Sequence, residues 1–292
     1  MSDDSKQLKT VLEKASHFFD RIELANQSFA DMKNLTEAFT LKWDKSTGFI
    51  PIHWECKTAI SDLLHIDRQA KLLLTNTQQF VANLPANNAL LWGSRGTGKS
   101  SLVQAVLGTF NINQFQIIEL SNQDFDDWPK IISWIQQQSP RKFIIFCDDL
   151  SFNYDDVNYK SFKAALDGSF MGLPENALMY ATSNRRHLLP EKLSDNLDAV
   201  HIESEIHHSE AVEEAISLSD RFGLWLSFHS LTQDQYLAVV NHWLSHYTID
   251  ENQEDYQELA LRWALQRGSR SARIANQFAR DYAGKKLLAK NN

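Results

Sequence analysis

A glycine-rich turn between an apolar run and an amphipathic run constrains the fold of this chain more than any other feature. Residues 90–106, LLWGSRGTGKSSLVQAV, place Gly93, Gly98, Lys99 and Ser100 in the spacing G-x-x-x-x-G-K-[ST]. Glycines without a Cβ let backbone N–H groups approach phosphate oxygens, and the positive end of the helix that follows faces the same anion. Because a strand pattern precedes the turn and a helix pattern follows it, the sequence predicts a phosphate-binding loop rather than an ordinary turn.

From residue 89 to residue 229, apolar strand-like runs alternate with helical patterns. The strand-like runs are ALLWG, FQIIEL, KFIIFCDD, NALMYATSN and LWLSF. Fully apolar strands between helices are typical of a parallel sheet that is covered on both faces. The sequence therefore predicts an α/β fold built on a five-stranded parallel sheet.

Helical patterns flank this α/β region at both ends. Apolar residues recur at helical spacing in residues 4–29, and Gly48 and Pro51 interrupt the segment that follows. Beyond the last strand, three helical segments complete the chain. We predict an N-terminal helical extension (residues 1–60), an α/β nucleotide-binding core (61–229) and a small helical lid domain (230–292).

Composition and charge narrow the classes of function. The 292 residues carry a net charge of −8, which disfavours a non-specific DNA-binding protein but is compatible with a local basic patch. No apolar run approaches the roughly 20 residues of a membrane span, and the acidic start MSDDSKQLKT resembles neither a secretory signal nor a transit peptide. With two cysteines, Cys56 and Cys147, the sequence favours a reducing compartment, and we expect a cytoplasmic protein without a membrane partner.

Polar side chains end two of the later strands, at the edge where open α/β sheets bind ligands. We expect Asp148 and Ser100 to hold Mg²⁺, and Asp149 to orient the attacking water. Asn184 would hydrogen-bond that water or the γ-phosphate, and Lys99 would neutralise the phosphates. A solvated turn explains such acids, or such an asparagine, when they occur alone; their order after a complete phosphate loop favours the functional reading. The loop residues expected to contact the nucleotide are Gly93, Ser94, Arg95, Gly96, Thr97, Gly98, Lys99, Ser100 and Ser101.

In this order and spacing, GSRGTGKS, FIIFCDD and YATSN resemble the Walker A, Walker B and sensor 1 elements of AAA+ ATPases. The segments ANN-LLWG-RGTGKSSLV, DDLSF and YATSNRRHL also resemble a poorly characterised bacterial AAA+ family whose domain has no assigned function, over about residues 60–285. The resemblance implies a P-loop NTPase (AAA+) core, ATP and Mg²⁺ as cofactors, and assembly into a homo-oligomer, with a ring as one arrangement.

The same resemblance implies roles for two arginines. SLSDRFGLWLSF resembles the arginine-finger segment, so Arg221 is expected to reach the γ-phosphate of a neighbouring subunit. RGSRSARIANQF resembles the sensor 2 helix of the lid, in which Arg273 is the first candidate and Arg270 the second. Members of the class usually end the Walker B strand with Asp-Glu, whereas this chain has Asp148-Asp149, and the shorter acid predicts a slow or partner-stimulated ATPase.

Two further segments have less specific implications. HIDRQAKLLL resembles the adenine-side segment of the class, in which many members have a glycine near the position of His65. Arg185 and Arg186, which follow the third motif, are expected either to touch phosphate or a neighbouring subunit, or to form surface ion pairs.

These motifs predict a Mg²⁺-dependent ATPase that couples its ATP state to the remodelling or assembly of a protein partner. A helicase-loader or initiator-like switch acting on a nucleic-acid complex is the alternative, and a P-loop small-molecule kinase is a less favoured third function. Between the second strand and its helix, SNQDFDDWPK carries Phe125 and Trp128 without a following glycine, which disfavours a processive threading motor.

Overall fold

The computed structural model describes residues 35–152, 157–166, 172–186, 188, 221–248 and 253–291, and is built on a mainly parallel sheet. Its strands are β1 (Thr40–Asp44), β2 (Gly48–Ile52), β3 (Ala89–Gly93), β4 (Gln116–Leu120), β5 (Phe143–Cys147), β6 (Ala177–Ser183) and β7 (Leu224–Phe228). Its helices are α1 (Asp67–Val81), α2 (Lys99–Leu107), α3 (Trp128–Gln137), α4 (Val157–Leu166), α5 (Gln233–His246), α6 (Gln253–Gln266) and α7 (Ala272–Asn291). The strand order is β2-β1-β4-β5-β6-β3-β7, and strands β3 to β7, which the sequence predicts, are parallel to their neighbours.

Successive residues of the central strands enter two hydrophobic cores on opposite faces of the sheet. In β5, Phe143, Ile145 and Cys147 belong to the core beneath α3 and α4, whereas Ile144 and Phe146 belong to the core beneath α1 and α2. All five residues are buried, because helices cover both faces. Because both faces are covered, these strands do not alternate between apolar and polar residues.

Residues 40–52 form a β-hairpin, which corrects the prediction of a helical extension over residues 1–60. β1 pairs antiparallel with β2 and parallel with β4, so the hairpin widens the core sheet to seven strands in place of the predicted five. Leu41 and Phe49 are buried in the core beneath α3, and their burial against an otherwise open sheet edge explains why this segment is extended. The helix predicted at residues 4–29 lies outside the described residues.

The turn of the hairpin is held by one carboxylate. Asp44 Oδ1 accepts hydrogen bonds from the backbone and hydroxyl groups of both Ser46 and Thr47. These four bonds hold the pKa of Asp44 far below its usual range. Gly48 closes the turn with a φ of 83°, a left-handed conformation that glycine adopts without steric strain.

Helices α5, α6 and α7 pack around a third hydrophobic core of their own, within the range predicted for the lid. Thr232 caps α5, because its hydroxyl accepts from the Gln235 backbone while the Gln235 side chain accepts from the Thr232 backbone. Tyr236 crosses this core, and its hydroxyl donates to the Ala260 carbonyl at 3.0 Å. α7 is 20 residues long, yet neither it nor any other helix in the described ranges is long and apolar enough to cross a membrane.

We predict that Leu41→Ala destabilises the whole α/β core, because Leu41 is fully buried in a core that it shares with the central strands. The free energy of unfolding should fall by about 2–5 kcal/mol, measured by urea denaturation. Ile50→Ala, in the same hairpin at a position 37% exposed, is the matched control and should cost less than about 1 kcal/mol. Equal, small effects of the two substitutions would show that the hairpin is peripheral to the fold.

Candidate functional site

A cavity of about 630 Å³ lies between the carboxyl edge of the sheet and the helices α5 and α7. The glycine-rich turn and the ends of β5 and β6 form one wall, and the two helices form the other. Its lining includes these residues predicted from the sequence: Arg95, Gly96, Thr97, Gly98, Lys99, Ser100, Ser101, Asp148, Asp149, Asn184 and Arg273. The fold therefore brings the three predicted motifs and the predicted lid arginine to one site.

The glycine-rich turn depends on backbone conformations that other residues rarely adopt. Gly93, Gly96 and Gly98 have φ values of 137°, 76° and 100°. A Cβ at Gly93 would lie 1.9 Å from the carbonyl oxygen of Phe228 on the neighbouring strand β7. The turn can pass over the strand end only because this side chain is absent.

Lys99 is the first residue of α2, and only 6% of its surface is exposed. Its Nζ donates to the carbonyl oxygens of Gly93 at 2.7 Å and Ser94 at 2.8 Å, and to Asn184 Oδ1 at 3.1 Å. Burial lowers the pKa of Lys99, while two nearby carboxylates oppose that shift. Gly93 and Ser94 thus position the lysine from behind the cavity wall.

Two oxygen ligands suited to Mg²⁺ meet at the junction of α2 and β5. The Ser100 hydroxyl donates to Asp148 Oδ1 at 2.5 Å, although the two residues lie 48 positions apart in the chain. Mg²⁺ binds through one or two carboxylates together with phosphate oxygens and water, so this pair fits the ion. Among the described residues, no cluster of three or more His, Cys, Asp or Glu side chains forms a metal site made by protein alone.

Asn184 links the second acid to the lysine. Its Nδ2 donates to Asp149 Oδ1, and its Oδ1 accepts from Lys99. The side-chain amide therefore uses both of its ends within the protein, and its predicted hydrogen bond to the attacking water or the γ-phosphate stays a prediction. Asp149 itself has a φ of 52°, a left-handed conformation that is uncommon outside glycine, asparagine and aspartate.

The lid meets the glycine-rich turn through the start of α7. The backbone N–H of Arg273 donates to the Gly96 carbonyl at 3.1 Å, and the Arg273 side chain lines the cavity. Arg270 is outside the described cavity lining, and its carbonyl accepts from the Leu231 backbone at 3.2 Å. The geometry thus favours Arg273 over Arg270 as the lid arginine.

Part of the cavity lining is apolar. Leu64 and Ile66 contribute to it from the segment before α1, and Val239 and Trp243 contribute from α5. His65, between the first two, has a φ of 64°. This is a left-handed conformation that favours glycine.

Sequence reasoning missed several polar residues of the cavity, of which Thr182 and Arg280 are two. Thr182, in β6, donates to Asp148 Oδ1 at 2.6 Å. Arg280 lines the cavity from α7, two helical turns after Arg273. The seven-residue spacing of the two arginines is a signal that could have placed both on one helix face.

The other predicted arginines lie outside this cavity lining. Arg185 donates from Nη1 to the Phe152 carbonyl at 3.0 Å, a structural contact within the chain. Arg186 lies over the Trp92 ring, 5.4 Å from its centroid. Arg221 lies just before β7, and its predicted contact with a neighbouring subunit stays a prediction.

Comparison with solved structures supports the fold, since the RuvB Holliday junction branch migration motor of Thermotoga maritima superimposes with a TM-score of 0.53. The identity is 16%, and the match covers 80% of this chain and 67% of that one. A variant of the same protein gives a TM-score of 0.54 at the same identity. The fold is that of the P-loop NTPases of the AAA+ class.

The sequence comparisons place the chain more narrowly. It belongs to the family described as protein of unknown function (DUF815), whose profile matches residues 35–286. It is also 26% identical over 244 residues to the "Probable mitochondrial chaperone BCS1-A" of Dictyostelium discoideum. That alignment covers 70% of this chain, which spans about half (55%) of the length of the relative.

We predict that Gly96→Ala weakens nucleotide binding, because its new Cβ would lie 2.8 Å from Ser271 Oγ and 3.1 Å from Arg273 Cβ. The lid helix would have to move away from the phosphate loop, and ATP affinity measured by calorimetry should fall about tenfold or more. Gly268→Ala is the matched control, since Gly268 has a φ of 66° but no atom within 4 Å of its added Cβ. It should cost about 1 kcal/mol of stability and leave ATP affinity unchanged; an equal loss of affinity in both variants would contradict the prediction.

Proposed function

We propose that this protein is a Mg²⁺-dependent ATPase that couples its ATP state to the remodelling or assembly of a protein partner. The observation that carries the proposal is the convergence of the phosphate loop, the Ser100–Asp148 pair, the Asp149–Asn184 pair and Arg273 at one cavity. Each element has a distinct use in ATP hydrolysis, and an ATP-binding protein without hydrolysis would not need the aligned acid and amide.

Within this proposal, the residues of the cavity divide the work of phosphoryl transfer to water. Backbone N–H groups of the turn bind the phosphate oxygens, and Lys99 and Arg273 offset their charge. Asp149 accepts a hydrogen bond from the attacking water, which Asn184 helps to orient. Bound through Ser100 and Asp148, Mg²⁺ would stabilise the negative charge that develops on the phosphate oxygens.

Coupling would pass through the contacts that join the phosphate loop to the lid. The Arg273 N–H donates to the Gly96 carbonyl, so any shift of the turn on nucleotide binding acts directly on the start of α7. A second contact reaches the lid from the segment before α1, where Asp62 Oδ1 lies 3.4 Å from Nε2 of His242 in α5. Both contacts border the cavity, which supports a change of the lid position with the state of the nucleotide.

The loop between β4 and α3 is more consistent with an ATP-dependent switch than with a motor that threads a polypeptide. Phe125 and Trp128 are 0% and 2% exposed, so neither ring is available to grip a threaded polypeptide. The β-hairpin covers this loop, because Trp43 Nε1 donates to Asp127 Oδ2 at 3.2 Å. The loop therefore packs as part of the core, which supports assembly control over processive unfolding.

The choice between a protein partner and a nucleic-acid complex rests on weaker observations. The relative BCS1-A is named as a chaperone, which favours a protein partner, whereas RuvB is named as a Holliday junction motor. Residues 262–292 carry eight arginine and lysine residues and one acid, Asp281, in a chain whose net charge is −8. This basic segment is the feature that favours the loader-like alternative. The cytoplasmic location stays a prediction.

We predict that Asp149→Asn abolishes hydrolysis and preserves binding. Phosphate release should fall at least a hundredfold because the base is lost, while ATP affinity by calorimetry stays within about threefold. Lys99→Met should instead lose affinity by about tenfold or more. Lys142→Met is its control, since Lys142 also donates to carbonyls, those of Phe80 and Val81, away from the cavity. Wild-type phosphate release by Asp149→Asn would contradict the proposal, and phosphate transfer to an added nucleoside or sugar would support the kinase.

We predict that Arg221 acts on the ATP of a neighbouring subunit. Arg221→Ala should lower phosphate release about 10³-fold, consistent with the rate effect of arginine fingers. Mixing Arg221→Ala with Lys99→Met should recover part of the activity, because one subunit then supplies the arginine and the other the intact site. No recovery in mixtures that co-assemble, measured by mass photometry and phosphate release, would exclude this arrangement.

A further inference from the structure

Thr182 is held rigidly in β6, the strand that lies between β5, which ends at the two aspartates, and β3, which leads into the phosphate loop. It is 1% exposed and pairs in register with Leu91 of β3. Its carbonyl accepts from the Leu150 backbone at 2.7 Å, which ties the chain just after β5 to β6. The backbone of Thr182 therefore cannot move without disturbing the sheet.

The hydroxyl of Thr182 bridges the two consecutive aspartates at the end of β5. It accepts from the backbone N–H of Asp149 at 2.9 Å and donates to Asp148 Oδ1 at 2.6 Å. A hydroxyl carries a single proton, so accepting from one residue directs that proton to the other. Ser100 donates to the same carboxylate oxygen, which fixes the rotation of the Asp148 side chain from two sides.

The bridge also supports an unfavourable backbone conformation. Asp149 has a φ of 52°, in the left-handed region that L-residues occupy infrequently. Thr182 satisfies its N–H, and Asn184, two residues further along the chain, donates to its carboxylate. Thr182 is the penultimate residue of β6 and Asn184 directly follows the strand, so the end of β6 holds both the backbone and the side chain of Asp149.

We infer that Thr182 is a positioning residue, which sets the Asp148 carboxylate for metal binding and the Asp149 carboxylate for water activation through one hydroxyl. This inference rests on the proposed function for its catalytic part. Thr182 need not touch nucleotide or water, since it acts through the two acids. A valine has nearly the same shape and strand propensity, and would lose both hydrogen bonds together.

The test compares Thr182→Val with Thr182→Ser in the full-length protein. In protein free of metal and nucleotide, the exchange rate of the Asp149 amide proton should rise about tenfold or more in the valine variant. With a fluorescent ATP analogue bound, Mg²⁺ affinity should fall roughly tenfold, as for other losses of a group that orients a ligand. Phosphate release should fall about ten- to a hundredfold in kcat, with a smaller change in KM. Serine keeps the hydroxyl and should restore all three values to within about threefold.

Thr77→Val is the matched control, because Thr77 is also fully buried and its hydroxyl donates to the Leu73 carbonyl at 2.9 Å. It should leave the exchange rate of the Asp149 amide and the Mg²⁺ affinity unchanged. Wild-type exchange and metal affinity in Thr182→Val, or no recovery in Thr182→Ser, would overturn the inference. Wild-type protein that hydrolyses no ATP would contradict the proposed function instead, and exchange and metal affinity would still decide the role of Thr182.

Discussion

The hydrogen bond between Ser100 and Asp148 is the contact on which the candidate site depends. At 2.5 Å it joins the start of the helix after β3 to the end of β5, although β6 lies between these two strands in the sheet. Side chains at the end of β6 must therefore fit between the phosphate loop and the acidic pair. Thr182 and Asn184 occupy that position and connect to both sides. Because of the strand order, one hydrogen-bond network joins the phosphate loop, the aspartates after β5 and the polar residues at the end of β6.

Some strands of this sheet can be predicted from their own sequence, whereas others depend on a partner strand that is distant in the chain. β3 to β6 are largely buried on both faces and β7 is buried in part, and continuous apolar runs reveal such strands without knowledge of their neighbours. The hairpin of β1 and β2 is short and only partly buried, and its position depends on β4, more than 70 residues further along the chain. A local pattern carries no information about such a partner. The sequence pattern therefore predicts a helical extension where the structure has a hairpin.

The same distinction explains which site residues could be found. Lys99, Ser100 and the two aspartates belong to motifs in which residue type and spacing are both fixed by phosphate and metal chemistry. Thr182 lies inside an apolar strand, where a β-branched residue is common for packing reasons alone. Only the coordinates show that its hydroxyl is shared by both acids.

The left-handed backbone at Asp149 bears on the rate that this site can reach. An aspartate is one methylene shorter than the glutamate usual in the class, so its reach towards water depends on the direction in which the backbone projects it. Thr182 and Asn184 fix that direction, which offsets part of the lost length. An aspartate held by its neighbours in this way suits the proposed ATPase, which would turn over slowly until a partner alters the Asn184–Asp149 contact, and it agrees with a switch whose aromatic loop is buried in the core.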